Sequence, residues 1–341
     1  MGRRLVLPCM HSFLFKLKSP SSPCPFSEEA ATFFSSLSEC LRKLEESLAE
    51  SSVSLQWSIE AMNVLKKLQL DLLSLLKRSD LPIISCGMEQ DWFDHYMDVT
   101  ITLLDLCNSI KSAMSATHRY RMAVGLAIES LSRSDDLSSR IATLNKIIEC
   151  ERSGREQQKK RVLHARMMGD CTKTCNLMAL KGCSKKHDKS LGIIILAAKS
   201  AMLVVSLLIV SAIVSPVSIE MEGERVFTSK FPELRMFKEM LVALVGRFRQ
   251  KSLSPESGSR VVLVEHEMVD KVVGELKDQV VEGVVEDKER FQSGVELLRS
   301  KSAELSECVE MFDAVVDDVF NVVMRGRNEM LGVLKDKGLQ L

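Results

Sequence analysis

The sequence of 341 residues contains only 16 Gly and 8 Pro, so turn-forming residues are scarce. Aromatic residues make up 5% of the chain, which disfavours a sandwich or barrel of many short strands. Hydrophobic residues make up 45%, enough for one large or two modest cores, and this content excludes wholesale disorder. We therefore predict an all-α fold, an elongated bundle of long amphipathic helices with one strongly apolar central helix.

The net charge is zero, with 46 basic and 46 acidic residues, but the charges are unevenly distributed. Residues 151–189 hold eleven Lys or Arg and four Asp or Glu, whereas residues 260–341 hold eleven and eighteen. The two regions are therefore electrostatically complementary. Either they pack on each other, or the basic region faces an anionic surface such as phospholipid headgroups.

Residues 1–27 are predicted to form an irregular N-terminal segment. They contain four basic residues and no acidic one, and they lack the uninterrupted apolar stretch of a secretory signal. A basic, serine-containing segment without acidic residues resembles an organelle transit peptide, although the prolines between 20 and 25 interrupt an amphipathic helix, so plastid import stays open. The ten cysteines show no dense framework, which favours a reducing compartment.

An N-terminal helical region is predicted for residues 28–150. Its first part, up to about residue 76, is one long helix or two helices, because apolar residues repeat every seven positions. This heptad series consists of Leu41, Leu48, Leu55 and Met62. A second helix is predicted from about residue 89 to 131 and a third from 137 to 150, since a turn signal rich in Asp separates them.

A basic connector over residues 151–190 leads into an apolar segment over residues 191–219, whose only charged residue is Lys199. The charge-free residues 200–219 extend about 30 Å as a helix, the thickness of a bilayer core. The segment is therefore a candidate transmembrane helix of a single-pass membrane protein, and the preceding basic residues place its N-terminus in the cytosol. The alternative is a cytoplasmic protein in which amphipathic helices bury this segment on all sides.

Residues 220–341 are predicted to form an acidic helical region. Valine is abundant here and favours strands by propensity, but apolar residues recur at steps of three and four, which is the period of a helix. One such series consists of Leu305, Val309, Phe312, Val316, Val319 and Val323. We therefore expect amphipathic helices with coiled-coil character. Their apolar face at 305–323, and the face at 37–62, are expected to bind protein partners.

Motifs of nucleotide binding and serine hydrolysis are absent from the sequence. His266-Glu267 begins like a zinc-protease helix, but residue 270 is Asp where that motif needs a second histidine. A group of four potential Zn²⁺ ligands consists of Cys171, Cys175, Cys183 and His187. Its spacing differs from that of a zinc knuckle, so free thiols are the alternative. We accordingly expect no catalytic, cofactor-binding or metal-ligating residues and no cofactor, and the sequence identifies no small-molecule substrate.

Nucleic-acid binding is also not expected, although the connector at 151–190 is strongly basic. The connector contains no aromatic residue that would stack on bases. A solvated flank beside the apolar segment at 191–219 explains its charge better.

Residues 91–110 carry a distinctive pattern of polar and aromatic side chains. In chain order the pattern contains Trp92, Asp94, Tyr96, Asp98, Leu103, Leu104, Asp105, Cys107 and Asn108. This run resembles the signature of the plant BYPASS-related (BPS-like) family, and the resemblance extends more loosely over nearly the whole chain. Helical spacing places Trp92, Tyr96 and Leu103 close to one face, which indicates a helix–helix packing seam rather than a reactive site.

The resemblance implies a plant developmental protein that is not an enzyme and acts through protein partners in root and shoot development. Members of the family look like negative regulators of a root-derived mobile signal that arrests shoot growth. Related proteins act with exocyst subunits in secretion, so the alternatives are a membrane-trafficking adaptor that binds exocyst-type subunits and a soluble helical scaffold. An enzyme of small-molecule signal metabolism would need a pocket formed by the polar residues Asp98, Asp105, Cys107 and Asn108.

Overall fold

The computed structural model describes residues 28–50, 52–78, 90–133, 136–159, 186–213, 232–252, 263–281 and 288–336. Within these ranges the chain is almost entirely helical and contains no strand, which confirms the all-α prediction. The eight helices of these ranges are α1 Glu28–Glu50, α2 Leu55–Arg78, α3 Gln90–Arg133, α4 Leu137–Lys159, α5 Lys186–Ile213, α6 Pro232–Ser252, α7 Val264–Val281 and α8 Lys288–Asp336. The predicted irregular segment at 1–27 lies outside the described residues.

The first predicted helical stretch forms two helices, α1 and α2. A new helix starts after Ser54, whose Oγ accepts a hydrogen bond from the Trp57 backbone N–H at 3.0 Å and so caps α2. A second cap comes from far along the chain, because the Glu265 carboxylate accepts a hydrogen bond from the Leu55 N–H at 3.0 Å. The predicted heptad residues, Leu41, Leu48, Leu55 and Met62, are all buried. The N-terminus of α2 is therefore fixed both locally and by α7.

α3 and α4 pack against each other on either side of a short turn. Asp136 caps α4, since its Oδ2 accepts a hydrogen bond from the Ser139 N–H at 2.8 Å. α4 ends at Lys159 instead of the predicted residue 150. Arg152 explains part of this extension, because it is a good helix former and pairs with Glu149 at 2.8 Å, one turn earlier. The start of the predicted basic connector is thus helical, and its residues 160–185 lie outside the described ranges.

α5 contacts four other helices, namely α1, α2, α3 and α6. The described side chains between 194 and 213 are buried, apart from the half-buried Lys199. These four helices cover the described part of the apolar segment that was predicted as a transmembrane helix. In the part of the chain that the structure describes, no helix is long and apolar enough to cross a membrane. The single-pass prediction is therefore not supported, and residues 214–219 lie outside the described ranges.

The valine-rich sequence after residue 260 forms the helices α7 and α8, and α8 alone is 49 residues long. All six members of the apolar series between 305 and 323 are buried, where α8 packs on α2, α3 and α7. The apolar residues between 37 and 62 are buried in the same core. The two faces that were expected to bind partners are therefore buried within this chain.

The acidic side of α8 pairs with basic residues of α2 and α3. These salt bridges join Lys66 with Asp318, Lys77 with Glu329, Lys111 with Asp317 and Arg121 with Glu310. Most of these side chains are substantially exposed, so each pair stabilises the fold by at most about 1 kcal/mol. Much of the positive charge that complements the acidic region thus comes from α2 and α3.

Candidate functional site

The signature stretch lies in the first half of α3. Its positions Tyr96, Leu103, Leu106 and Ile110 are buried, and α3 packs on α5 and α8. Helical spacing predicts this shared buried face, while the side chain of Trp92 lies outside the described set. The signature therefore contributes mainly to the core between three helices.

A buried polar pair joins the signature to α2. Gln69 Nε2 donates a hydrogen bond to Tyr96 Oη at 2.9 Å, and both side chains are fully buried. Burial raises the pKa of Tyr96 to about 12, while the Gln69 hydrogen bond acts in the opposite direction. The backbone of α8 passes close by at Gly326, where a Cβ atom would lie 3.1 Å from Tyr96 Oη. The pair is thus a neutral structural contact at the meeting point of α2, α3 and α8.

The four polar signature residues that an enzyme would need do not converge. Cys107 is fully buried, Asp105 is half-buried, and Asp98 and Asn108 are exposed. Burial raises the pKa of the Cys107 thiol to about 12, and the nearby negative charge of Asp317 raises it further. Because the thiolate is the nucleophilic form, a thiol with this pKa is inert at neutral pH.

Lys199 extends from α5 towards α3. Its Nζ lies 3.5 Å from Asp98 Oδ2, and its side chain is only 11% exposed. Lys199 also borders a shallow crevice that includes Thr102, Met202 and Ser206, and none of the four polar signature residues lines this crevice.

The cysteine-rich group that could bind Zn²⁺ is not placed by the structure. Cys171, Cys175 and Cys183 lie outside the described residues. His187 belongs to α5, but its side chain is also outside the described set. The two interpretations of this group, a zinc site and free thiols, therefore both stay predictions.

A cluster of titratable side chains lies between α4 and α7, beside α3. Glu151, His266 and Asp270 each offer one potential ligand atom, and these atoms lie within 4.8 Å of one another. His266 and Asp270 are one turn apart on α7, with 3.5 Å between Nδ1 and Oδ2. Tyr120 of α3 donates a hydrogen bond from its Oη to Asp270 Oδ1 at 2.5 Å. Its ring stacks on the imidazole of His266 with 4.3 Å between the centroids.

Sequence reasoning did not find this cluster. The protease pattern at His266 fails because residue 270 is Asp, yet this Asp lies on the same side of α7 as His266 and offers a carboxylate one turn away. Glu151 and Tyr120 come from distant parts of the chain, so spacing along the sequence does not reveal them. The four-residue step from His266 to Asp270 was the one local signal.

Comparison with known proteins gives a distant similarity. No protein-family model matches the sequence. The chain is 21% identical over 253 residues to "Protein BPS1, chloroplastic" of Arabidopsis thaliana, and the match covers 73% of this chain and 68% of that protein. No solved structure matches. The similarity agrees with the resemblance of the α3 signature and supports a distant relationship to BPS-like proteins.

Proposed function

We propose that this protein is a plant developmental regulator of the BYPASS type, which restrains production of a root-derived mobile signal that arrests shoot growth. The observation that carries the proposal is the similarity to the Arabidopsis BPS1 protein, which extends over 73% of the chain. The signature on α3 supports the same assignment, since it resembles the family pattern at both its aromatic and its polar positions.

In this proposal the protein acts by binding partners and not by catalysis. The polar residues Asp98, Asp105, Cys107 and Asn108 differ widely in exposure, and the thiol among them is held in its protonated form by burial. A nucleophilic or acid–base mechanism needs such groups within hydrogen-bonding reach of one another. Their arrangement therefore favours a structural role for the signature helix.

The surface that we propose for partner binding is the exposed apolar pair Met122 and Leu126 on α3. Their side chains are 66% and 72% exposed and lie one helical turn apart. Gly125 beside them leaves open space, because a Cβ atom there would meet nothing within 4 Å. A partner with an apolar groove would cover this surface, as in other complexes that bind one face of a helix.

Reciprocal grafting tests the developmental role. Roots in which the gene is silenced are grafted to wild-type shoots, and silenced shoots are grafted to wild-type roots. We expect shoot arrest in the first combination and normal growth in the second, because the proposed signal originates in the root. Normal shoots on silenced roots would refute the proposal.

Affinity capture from plant tissue tests the partner surface. The full-length chain is compared with Leu126→Glu, and Met236→Glu serves as the matched control because Met236 is similarly exposed, at 63%, but lies on α6. We expect a partner that is lost with Leu126→Glu and retained with Met236→Glu. If this partner is an exocyst-type subunit, the result favours the trafficking adaptor; equal capture by all three chains would contradict the proposed surface.

The location that the observations favour is a plastid. The name of the Arabidopsis relative includes the word chloroplastic, and residues 1–27 of this chain are basic without an acidic residue. A fluorescent protein fused to the C-terminus of the full chain is expected in plastids, whereas the chain from residue 28 onwards is expected to lose this location. If the full-length and the shortened fusion are found in the same location, a transit function of residues 1–27 is contradicted.

A further inference from the structure

We propose that Glu151, His266 and Asp270 bind a divalent transition-metal ion, and that Zn²⁺ fits the site best. The three side chains supply one imidazole nitrogen and two carboxylates, a set of ligands that Zn²⁺ accepts. Their ligand atoms already lie within 4.8 Å of one another without an ion. The assignment goes beyond the proposed developmental function and does not depend on it.

The geometry on α7 is close to that of a tetrahedral site. Two ligand atoms at about 2.05 Å from a tetrahedral Zn²⁺ are about 3.4 Å apart. The distance between His266 Nδ1 and Asp270 Oδ2 is 3.5 Å. The Glu151 carboxylate, which comes from α4, completes a set of three, with its ligand atom within 4.8 Å of the other two. A tetrahedral ion then has a fourth position for water.

Tyr120 holds two of the three ligands in place. Its hydroxyl donates a hydrogen bond to Asp270 Oδ1, which leaves Oδ2 on the side of His266. Its ring stacks on the imidazole, with an angle of 28° between the planes. Metal-binding carboxylates and imidazoles are commonly oriented by such contacts to their other atoms. Tyr120 would therefore act as a positioning residue for the site.

The nitrogen of His266 has the properties of a ligand atom. Nδ1 is buried and lies 3.5 Å from Asp270 Oδ2, but it makes no hydrogen bond among the described residues, although the side chain as a whole is 13% exposed. A buried polar atom without a hydrogen bond is costly, and a metal ion at this position would satisfy its lone pair. Coordination through Nδ1 requires the neutral imidazole with its proton on Nε2.

A second histidine–aspartate pair in the chain provides a comparison. His118 Nε2 lies 2.8 Å from Asp313 Oδ2, and the Lys111 ammonium lies 3.8 Å from Asp313 Oδ1. This pair sits between α3 and α8, and the group of potential metal ligands does not include it. A cation of the protein already balances Asp313, so His118 serves as a control with similar chemistry.

The proposed ion would link α4 to α7. These helices already pack on each other, and Glu151 lies on the last part of α4, just before residues 160–185. A metal bridge of this kind stabilises the folded state because the unfolded chain does not hold the three ligands together. Zn²⁺ would thus fix the end of α4 against the C-terminal helices.

Zinc binding by the full-length protein is the first measurement. The protein is treated with a chelator, dialysed and titrated with Zn²⁺ in competition with a chromogenic chelator, and Mg²⁺ serves as the control ion. We expect the protein to bind Zn²⁺, and we expect that added Mg²⁺ does not displace the bound Zn²⁺. At a free Zn²⁺ concentration 100-fold above Kd, Tm should rise by about 4 °C. Absence of Zn²⁺ binding would overturn the proposal.

Variants locate the site. Glu151→Gln keeps the size of a half-buried side chain and should weaken Zn²⁺ binding by about 100-fold, as should Asp270→Asn. His118→Gln should bind Zn²⁺ like the wild type. Residues 171–187 contain the other candidate ligands, so a Cys171→Ser, Cys175→Ser double variant is measured in parallel. Unchanged affinity of Glu151→Gln, or loss of binding in the cysteine variant alone, would overturn the assignment.

Discussion

Tyr96→Phe removes a single hydroxyl from the centre of the fold and should be costly. The hydroxyl accepts a hydrogen bond from Gln69 Nε2 at 2.9 Å, in a place where neither side chain is exposed. Leaving a buried amide donor without a partner costs about 1–3 kcal/mol. Gln69 Oε1 already makes no hydrogen bond to the described residues, so the variant leaves both polar ends of the amide unsatisfied. We therefore expect a loss in the upper part of this range, about 2–3 kcal/mol.

The double variant Gln69→Met, Tyr96→Phe should recover most of this loss. Methionine has nearly the length and shape of glutamine, so it fills the same space without a polar atom. Replacing both partners of a buried hydrogen bond by apolar groups of the same shape is close to neutral. We expect the double variant to lie within about 1 kcal/mol of the wild type, and the single variant Gln69→Met to lose about 1–2 kcal/mol.

Urea unfolding followed by circular dichroism at the helical minimum measures these differences. Thermal unfolding gives a second readout, since about 2.1 cal/mol/K per residue over 341 residues corresponds to about 1.4 °C per kcal/mol. Asn108→Ala is the control on the same helix, because an exposed position should change stability by less than about 0.5 kcal/mol. A Tyr96→Phe variant as stable as this control, or a double variant whose loss equals the sum of the single losses, would refute the reasoning.

Three further predictions concern helix packing, ionisation and capping. In urea unfolding, Gly332→Ala should raise the free energy of unfolding by about 0.5–1 kcal/mol, because the added Cβ meets nothing within 4 Å. Gly326→Ala should not show this increase, because its Cβ would lie 3.1 Å from Tyr96 Oη. The fold raises the pKa of Cys107 from 9.0 to about 12, so the free energy of unfolding should fall as pH rises from 9 towards 12. When unfolding is measured over this pH range, Cys107→Ala should show a smaller fall than the wild type. Asp136→Ala removes the cap of α4 and should lower the free energy of unfolding by about 1 kcal/mol.

The fold class could be predicted because the helical spacing of apolar residues can be recognised within each segment of the sequence. The valine-rich series between 305 and 323 would favour strands by propensity, but its steps of three and four place every member on one side of α8, and that side is buried. The buried face of α3 followed from the same spacing at Tyr96, Leu103 and Ile110. The spacing of apolar residues indicates which side of a helix is buried, and this spacing can be seen in one segment alone.

Periodicity does not report what covers a helix. The apolar segment at 191–219 reads the same whether lipid or other helices surround it, and the contacts of α5 with four helices are a property of the whole fold. Periodicity likewise identifies the apolar faces at 37–62 and 305–323 but not what packs on them. In the structure both faces are buried in one core. The cluster at Glu151, His266 and Asp270 depends on pairings between helices, which no single segment contains.

Directional contacts determine how α3 and α8 are aligned. Apolar stripes at helical spacing pack almost equally well after a shift of seven residues, so Leu and Val side chains alone leave the alignment of two long helices weakly specified. At one end of the contact, Arg327 donates hydrogen bonds to Thr100 Oγ1 at 3.0 Å and to the Met97 carbonyl. Further along, Arg121 pairs with Glu310.

The signature on α3 gains a physical meaning from this alignment. Tyr96 meets both Gln69 and the close backbone at Gly326, and a shift of α8 by one turn would place a side chain where only glycine leaves room. Thr100, within the signature, and Lys111, just after it, are bound to α8 through Arg327 and Asp317. The polar residues within and beside the signature thus favour one arrangement of α2, α3 and α8 over arrangements shifted by a turn or a heptad.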